Sequence, residues 1–508
     1  MPTYLSPGVY VEEVEAGSRP IEGVGTAVAA FVGFASRGPF NQPTLITNWS
    51  QFTQKFGEFL PGSYLGHSVY GYLNNGGGAA YVVRIGHNGA EPPRAELTAA
   101  AQPSIGAYQV VALEEAEDGA APLEVSVTAS PSGNEAFNLS VSRGGKVVEK
   151  FDDLTTGKGD KNVEQVVNAT STQIRLERLE MPAGLEARPA TGTVALAVPP
   201  APAPTEISAD DYVGEPAHRT GFGGLEGVDE VTMVSVPDAM AAYQAEMLDE
   251  EGLKAVQLGL IGHCEAMGDR IAIVDPPLGM NAQQINEWRV QKAGYDSKFA
   301  AMYWPWIKVF DPPSGQNIFV PPSGHMAGVW ARSDASRGVH KAPANEVVRG
   351  AITLETQITK AEHDLLNPNG INCIRAFPGR GVRVWGARTL STSDPTWRYI
   401  NVRRLFNYIE ESILDGTQWV VFEPNDMDLW ARVRRTISGF LLNVWRDGAL
   451  FGATPDEAFY VKCDAETNPP EAVDAGIVAC EIGIRAVKPA EFVVFRISQY
   501  SGGAEVSE

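Results

Sequence analysis

The sequence predicts a multidomain protein of mixed α/β and α+β class, with a layered α/β core, an inserted β-rich outer domain and a C-terminal α+β domain. Its 508 residues allow roughly two to four domains of ordinary size. Strand-type and helix-type segments alternate after residue 213, which is typical of a layered, mostly parallel sheet. Between residues 88 and 212 the composition shifts to Ala, Glu, Pro and Gly, and this stretch ends in a stiff proline-rich linker at 198–204.

These changes in composition and in secondary-structure pattern divide the chain into predicted domains. Residues 1–22 form an extended N-terminal arm, and the α/β core comprises residues 23–87 and 213–370. The β-rich outer domain is the insertion at 88–212. The C-terminal α+β domain covers residues 371–508 and ends in a terminal strand or arm.

Composition excludes several classes of protein. The net charge of −22 and a pI near 4.8 argue against a nucleic-acid partner, which would require a basic surface. The longest nearly uncharged apolar run, 24–35, is shorter than the ~20 residues of a membrane helix, so we expect no membrane insertion. The N-terminus lacks the features of a signal peptide, and the four cysteines include no CxxC pair. We therefore expect synthesis in a reducing cytoplasm and neither a disulfide scaffold nor a zinc site.

Hydrophobic patterning identifies the elements of the core. Asp238 is expected to cap a helix that runs to about residue 258. The predicted core strands are 28–35, 80–85, 231–236, 270–274 and 299–304, and the predicted helices are 46–56, 238–258 and 282–293.

Two amphipathic helices and three strands are predicted in the C-terminal domain. Asp394 is expected to cap the first helix and Asn425 the second. The strands follow at 458–463, 476–487 and 491–500, and the last of them alternates strictly. The apolar face of the first helix is Val402, Leu405, Phe406, Ile409 and Ile413, and that of the second is Leu429, Val433, Ile437, Phe440 and Val444.

No pattern in the sequence predicts a catalytic, cofactor-binding or metal-binding residue. His263 and Cys264 are adjacent, so they point in different directions and do not form a nucleophile–base pair. The run 320–345 leaves two interpretations open. An enzyme would use Asp334, His340 and Lys341, whereas a structural protein would use the run as a Gly- and Pro-punctuated connection between layers, which we favour.

The run 320–345 closely resembles the signature of contractile tail sheath proteins, those of phages and of phage-like contractile injection particles. Segments 4–13, 366–372, 384–390 and 397–404 match the same family in the same order, as do the closing strands. The resemblance covers residues 1–87 and about 215–508. It does not extend to 88–212, where the family varies by inserting an outward-facing domain.

The resemblance implies a structural subunit without cofactors that polymerises as stacked hexameric rings around an inner tube and contracts to drive the tube through a target envelope. The implied partners are copies of itself, the inner tube protein, and baseplate and tail-terminator or cap proteins. Such a particle is a phage tail or a phage-like injection particle assembled in the bacterial cytoplasm. A static filament or shell protein, or a hydrolase or transferase built on the α/β core, remains an alternative.

Two surfaces suit this function. Extended arms can link neighbouring subunits by adding strands to a neighbour's sheet, although ordinary strands within one subunit would show the same pattern. A basic helix face could form a weak contact with the tube, although it could also be solvated. The candidate arm residues are Val9, Tyr10, Val11, Val14, Val493, Phe495 and Ile497, and the candidate tube-facing residues are Arg432, Arg435 and Arg446.

Overall fold

The computed structural model describes residues 20–86, 104–112, 123–131, 136–143, 145–157, 159–171, 173–179, 189–196 and 207–496. Its strands are β1 Val28–Gly33, β2 Thr44–Ile46, β3 Ala79–Arg84, β4 Ser104–Ile105, β5 Tyr108–Ala112, β6 Leu123–Ala129, β7 Phe137–Arg143, β8 Lys146–Leu154, β9 Ile174–Arg178, β10 Gly192–Leu196, β11 Met233–Ser235, β12 Ile271–Val274, β13 Ala300–Trp304, β14 Ile307–Asp311, β15 Gln316–Val320, β16 Thr353–Leu354, β17 Ile371–Phe377, β18 Gly381–Val384, β19 Phe459–Lys462 and β20 Glu481–Ile484. Its α-helices are α1 Trp49–Phe56, α2 Leu65–Asn75, α3 Val163–Thr170, α4 Ala209–Val213, α5 Asp238–Gln244, α6 Glu250–Met267, α7 Ala282–Glu287, α8 Ser323–Arg337, α9 Lys360–Leu366, α10 Ile400–Gly416, α11 Met427–Arg446, α12 Pro455–Ala458 and α13 Pro470–Asp474.

An eight-stranded sheet forms the centre of the molecule, in the order β18-β17-β13-β12-β11-β1-β3-β2. The six inner strands are parallel, and β2 and β18 close the two edges in the antiparallel sense. Alternate residues of β1 enter different cores, because successive side chains of a strand point to opposite faces. Phe31 packs with α2 and α8, whereas Val32 packs with α5 and α6. The predicted mixed fold class with a layered α/β core is confirmed.

The central sheet extends beyond the predicted limit of the core. Strands β17 and β18 lie after residue 370 but pair with β13 and with each other, so the 370/371 boundary cuts through the sheet. At the other junction, α4 lies within the predicted insertion, yet Tyr212 is buried in the core and donates a hydrogen bond to the Asp238 carbonyl at 2.9 Å. In sequence order, the core therefore resumes by Ile207 and continues to about residue 390.

Residues between the two parts of the core form a separate β-rich body. Its described strands make a four-stranded sheet, β10-β6-β7-β8, and a three-stranded sheet, β4-β5-β9. Side chains from both sheets and from α3 share one apolar cluster that includes Val125, Phe137 and Ile174. A core of its own is the expected property of an inserted domain.

The C-terminal region packs α10 and α11 against the β19–β20 hairpin. The five residues of the predicted apolar face of α11 are all buried in this cluster, which also takes in Ile21 from near the N-terminus. The predicted caps are wrong. Asp426, not Asn425, accepts the Leu429 N–H at 2.8 Å, and Asp394 caps the 3₁₀ helix Pro395–Trp397 ahead of α10.

The expected cap at Asp238 is also wrong, for a physical reason. Two helices, α5 and α6, replace the single predicted one, and Asp249 caps the second. The Asp238 carboxylate faces the sheet, where it accepts hydrogen bonds from Phe34 N (2.5 Å), Ser63 Oγ (2.8 Å) and Leu65 N (3.1 Å), and also from Tyr64 N. It therefore ties the end of β1 to the start of α2.

The run 320–345 is not the connection between layers that the sequence predicted. Most of it forms α8, whose residues from Ser323 to Ala331 are all buried. Among the described residues, no helix combines the length and apolar character needed to cross a bilayer.

Candidate functional site

Glu491 holds the last described segment of the chain to the folded body. Its carboxylate accepts hydrogen bonds from Arg388 Nε (2.8 Å) and Nη2 (2.7 Å), Asn367 Nδ2 (2.7 Å) and Tyr399 Oη (2.8 Å). We call these four residues the arm anchor. Burial favours the neutral acid, but the hydrogen bonds from these three partners outweigh it and lower the pKa of Glu491.

The residues of the arm anchor come from separate stretches of the sequence. Asn367, Arg388 and Tyr399 lie in the segments 366–372, 384–390 and 397–404, which carried the family resemblance. Sequence reasoning did not identify Glu491. The available signal was an acidic residue directly before the apolar run that begins at Phe492.

Residues 492–496, the described part of the chain after the arm anchor, form no strand within their own subunit. The predicted strand at 491–500 is wrong over its described part, because residues 491–496 have no regular secondary structure. Phe492, Val493, Val494 and Phe495 are 73%, 67%, 76% and 84% exposed. Four consecutive exposed apolar side chains are typical of a surface that contacts another molecule. Ile497 lies outside the described residues.

The N-terminal segment is also fixed to the body. Val24 N donates to Ser412 Oγ of α10 at 3.1 Å. Thr26 makes two further contacts. Its Oγ1 donates a hydrogen bond to Asp334 at 2.7 Å, and its carbonyl accepts one from Arg404 at 2.8 Å. The candidate arm residues Val9, Tyr10, Val11 and Val14 lie outside the described residues.

Asp334 and Lys341 lie in two separate ion pairs. Asp334 forms a buried bidentate ion pair with Arg404 at 2.9 and 2.5 Å. Lys341 binds Glu346 Oε1 at 2.9 Å and the Ala344 carbonyl at 2.8 Å. Burial lowers the pKa of His340. Asp334 therefore joins α8, α10 and the N-terminal segment, a role that requires no reaction.

The neighbouring pair His263 and Cys264 lacks an activated thiol. Cys264 is fully buried, and burial raises the pKa of its thiol. Burial also lowers the pKa of His263 to about 4, so its ring is neutral at physiological pH. An inert buried cysteine beside a neutral imidazole is structural.

An acidic cleft opens beside the N-terminal segment. Burial raises the pKa of Glu411, and the neighbouring carboxylates Asp269, Asp415 and Asp229 raise it further. Across the part of the chain that the structure describes, no cluster of His, Cys, Asp and Glu is arranged to hold a metal ion.

The three candidate tube-facing arginines differ in their surroundings. Arg432 is engaged by its own subunit, since it pairs with Glu423 at 2.9 Å and lies over the Trp419 ring at 5.3 Å. Arg435 and Arg446 are exposed on the same helix, α11. Arg435 and Arg446 are therefore the more exposed of the three candidates.

A folded body that holds residues 24, 26 and 491 by hydrogen bonds, with exposed apolar side chains at 492–495, is typical of the class of assembly subunits. Two family models match consecutive parts of the chain: the phage tail sheath protein central domain at residues 229–390 and the phage tail sheath C-terminal domain at 392–499. Together they cover just over half of the sequence. The chain belongs to the phage tail sheath protein family, and it is a tail sheath subunit.

Individual relatives agree with the family. The tail sheath protein of Burkholderia phage BcepMu is 26% identical over 488 residues, which cover 92% of this chain and 91% of the relative. A putative prophage major tail sheath protein of Pseudomonas aeruginosa is 26% identical over 288 residues, covering 54% of this chain and 71% of the relative.

Solved sheath structures share the fold. The helical sheath of the anti-feeding prophage in its contracted state is similar with a TM-score of 0.59 at 24% identity, covering 98% of this chain and 100% of that one. The sheath of an extracellular contractile injection system, PVC, also contracted, is similar with a TM-score of 0.57 at 23% identity, covering 99% of both chains.

Proposed function

We propose that this sheath subunit polymerises into stacked hexameric rings around an inner tube, and that the assembled sheath contracts to drive the tube through a target envelope. Its partners are copies of itself, the tube protein, and baseplate and terminator proteins. The subunit is made in the bacterial cytoplasm and takes part in no catalytic step. The solved sheaths of the same fold, two of them in contracted particles, support the assembly and the motion.

The observation that carries the proposal is the anchored, exposed C-terminal segment. We call residues 492–508 the C-terminal arm. It leaves the body at the charge-assisted hydrogen bonds of Glu491, which are stronger than neutral ones and resist pulling on the arm. Beyond this point, the exposed side chains at 492–495 are available to another subunit.

The β19–β20 hairpin is a suitable receiver for an arm. Its described strands form a sheet of two, with outer edges that no other described strand covers. A two-stranded sheet is marginal alone, and an added strand from a neighbour would supply main-chain hydrogen bonds. Such bonds survive a change in ring geometry better than a rigid side-chain interface, which is what a contracting lattice requires.

To test this proposal, the complete particle is expressed with a sheath subunit that carries both Val493→Asp and Phe495→Asp in the C-terminal arm. Both side chains are exposed, so the subunit is expected to fold and remain soluble but to form no long sheaths in electron micrographs. Val147→Asp with Val148→Asp is the matched control, since these exposed valines lie in the insertion. The control should form sheaths of normal length.

Long sheaths from the arm variant would contradict the linking role. Particle length tests the contraction separately. Unmodified particles should show an extended and a shortened sheath before and after triggering, whereas one invariant length would identify a static filament.

A further inference from the structure

Two cysteines that are distant in sequence lie opposite each other at the end of the β19–β20 hairpin. The register pairs Phe459 with Ile484 and Lys462 with Glu481, so Cys463 and Cys480 are the next residues outward. Each thiol lies near enough to the other to influence its pKa. A CxxC motif does not describe a pair across a hairpin, so the spacing of the four cysteines in the sequence did not predict this pair.

The hydrogen-bond pattern of the hairpin favours a bond between these sulfurs. Arg485 N donates to the Ala458 carbonyl at 2.8 Å, which marks that pair as hydrogen-bonded. Because the two pair types alternate along an antiparallel ladder, Cys463 and Cys480 occupy a non-hydrogen-bonded position, where side chains lie closer. Cβ atoms in such pairs are within about 5 Å, near the spacing a disulfide requires.

The surroundings hold both cysteines in place and favour their thiol forms at neutral pH. Asn468 accepts from Ala479 N at 2.6 Å and donates to Ala479 O at 3.0 Å, which holds the loop against the end of the hairpin. Burial raises the pKa of Cys463, and burial together with the neighbouring Cys463 raises the pKa of Cys480 to about 12. Cys463 is fully buried, whereas Cys480 is partly exposed and accessible to a small reagent.

We propose that Cys463 and Cys480 form a latent intrachain disulfide that closes the loop 464–479 onto the hairpin when the protein meets a low-molecular-weight disulfide. The Cys480 thiolate attacks one sulfur of the reagent, forming a mixed disulfide and releasing one thiolate. The Cys463 thiolate then attacks the Cys480 sulfur and releases the second. The reagent takes up two electrons and, on leaving as two thiols, the two protons of the cysteines.

Both cysteines belong to the same subunit, so the bond between them would form whatever the role of the arms. Its structural consequence is local. The new bond would close a loop of about 16 residues, a length at which a disulfide restrains the unfolded chain appreciably. The end of the hairpin would then stay paired when the rest of the domain opens.

The test incubates the full-length protein with oxidised glutathione at mildly alkaline pH, where more thiolate is present. We expect the number of titratable thiols in the denatured protein to fall from four to two, with the mass decreasing by two hydrogen atoms. Peptide mapping should place the bond between residues 463 and 480. Hydrogen exchange in 464–479 should slow in the oxidised form.

Two variants give the proposal a distinct signature. Cys463→Ser should accumulate a stable glutathione adduct on Cys480, because no second thiol can resolve it. Cys480→Ser should gain almost no adduct, because Cys463 is buried. Four remaining thiols in the unmodified protein, or a persistent adduct on Cys480 there, would overturn the proposal.

Discussion

Buried carboxyl groups act as connectors within the core. The side chain of Asp275 lies at the end of β12 and accepts the Ser323 N–H at 2.9 Å, at the beginning of α8. Burial raises its pKa to about 7, against a hydrogen bond from Ser323 that lowers it. The same balance raises the pKa of Asp238 to about 6. Both carboxyl groups therefore ionise in the folded protein at a higher pH than the same side chains do in the unfolded chain.

Asp275→Asn should flatten the pH dependence of stability. Between about pH 4 and pH 7, Asp275 is ionised in the unfolded chain but neutral in the folded one, so the wild type loses stability as pH rises. At 1.36 kcal/mol per pKa unit, the loss is at most about 4 kcal/mol. Asn retains an acceptor for the Ser323 N–H. In urea unfolding, the free energy of unfolding of the variant relative to that of the wild type should therefore increase above about pH 5.

Asp160→Asn is the control for this experiment, because it removes one acidic side chain from an exposed loop. Its stability profile should run parallel to that of the wild type. A parallel profile for Asp275→Asn as well would show that Asp275 is not the group responsible.

At the scale of single elements, α8 shows why a sequence pattern can mislead. Gly324 and Gly328 suggested turns, but both lie inside the helix where it crosses α2. A Cβ atom at Gly324 would approach Ser68 Cα to 2.4 Å, and one at Gly328 would approach the Tyr72 carbonyl oxygen to 2.4 Å. These glycines permit close helix packing, a tertiary reason that a single sequence does not reveal.

Gly328→Ala should therefore destabilise the subunit by about 1–3 kcal/mol, through overpacking against α2. The matched change Gly439→Ala lies on the exposed face of α11, where an added Cβ meets nothing within 4 Å. It should stabilise the subunit by up to about 1 kcal/mol, since alanine is the better helix former. Denaturant unfolding of both variants measures the difference, and equal effects would contradict close packing at Gly328.

The exposed face of α11 is the element proposed to contact the tube. Arg435→Glu with Arg446→Glu should leave the melting temperature of the subunit nearly unchanged, because exposed charges contribute at most about 1 kcal/mol each. The contact is repeated around and along the tube, so small losses accumulate. Fewer tube-filled sheaths should be recovered.

Arg175→Glu with Arg178→Glu introduces the same charge change on exposed residues of β9 in the insertion. This control should assemble around tubes as the wild type does. Equal recovery of tube-filled particles from both double variants would remove α11 from the tube interface.

At the scale of the whole molecule, the sequence predicted what depends on local pattern. The alternation of strands and helices located the layered core, and all five residues of the predicted apolar face of α11 are buried. The arm anchor was not predicted, because about a hundred residues of sequence separate Glu491 from Arg388 and no local pattern links them. Nor did the sequence predict that β17 and β18 extend the central sheet.

Replacing residues 90–205 with a short flexible linker should spare folding and assembly. The described part of the insertion has its own apolar core, and Ile207, which packs in the central core, is retained. Circular dichroism and electron microscopy of the shortened protein check the two outcomes. Loss of cooperative unfolding would show that the insertion supports the core.

The central claim is that the C-terminal arm of one subunit binds another subunit. A photo-crosslinking amino acid placed at Val494, which is 76% exposed in the single subunit, tests it in assembled sheaths made from mixed light and isotope-labelled protein. We expect crosslinked peptides in which one partner comes from a light subunit and the other from a labelled subunit. The β19–β20 hairpin should be among the segments joined to residue 494. Crosslinks confined to peptides of a single isotopic composition would contradict the claim, because the arm would then bind its own subunit.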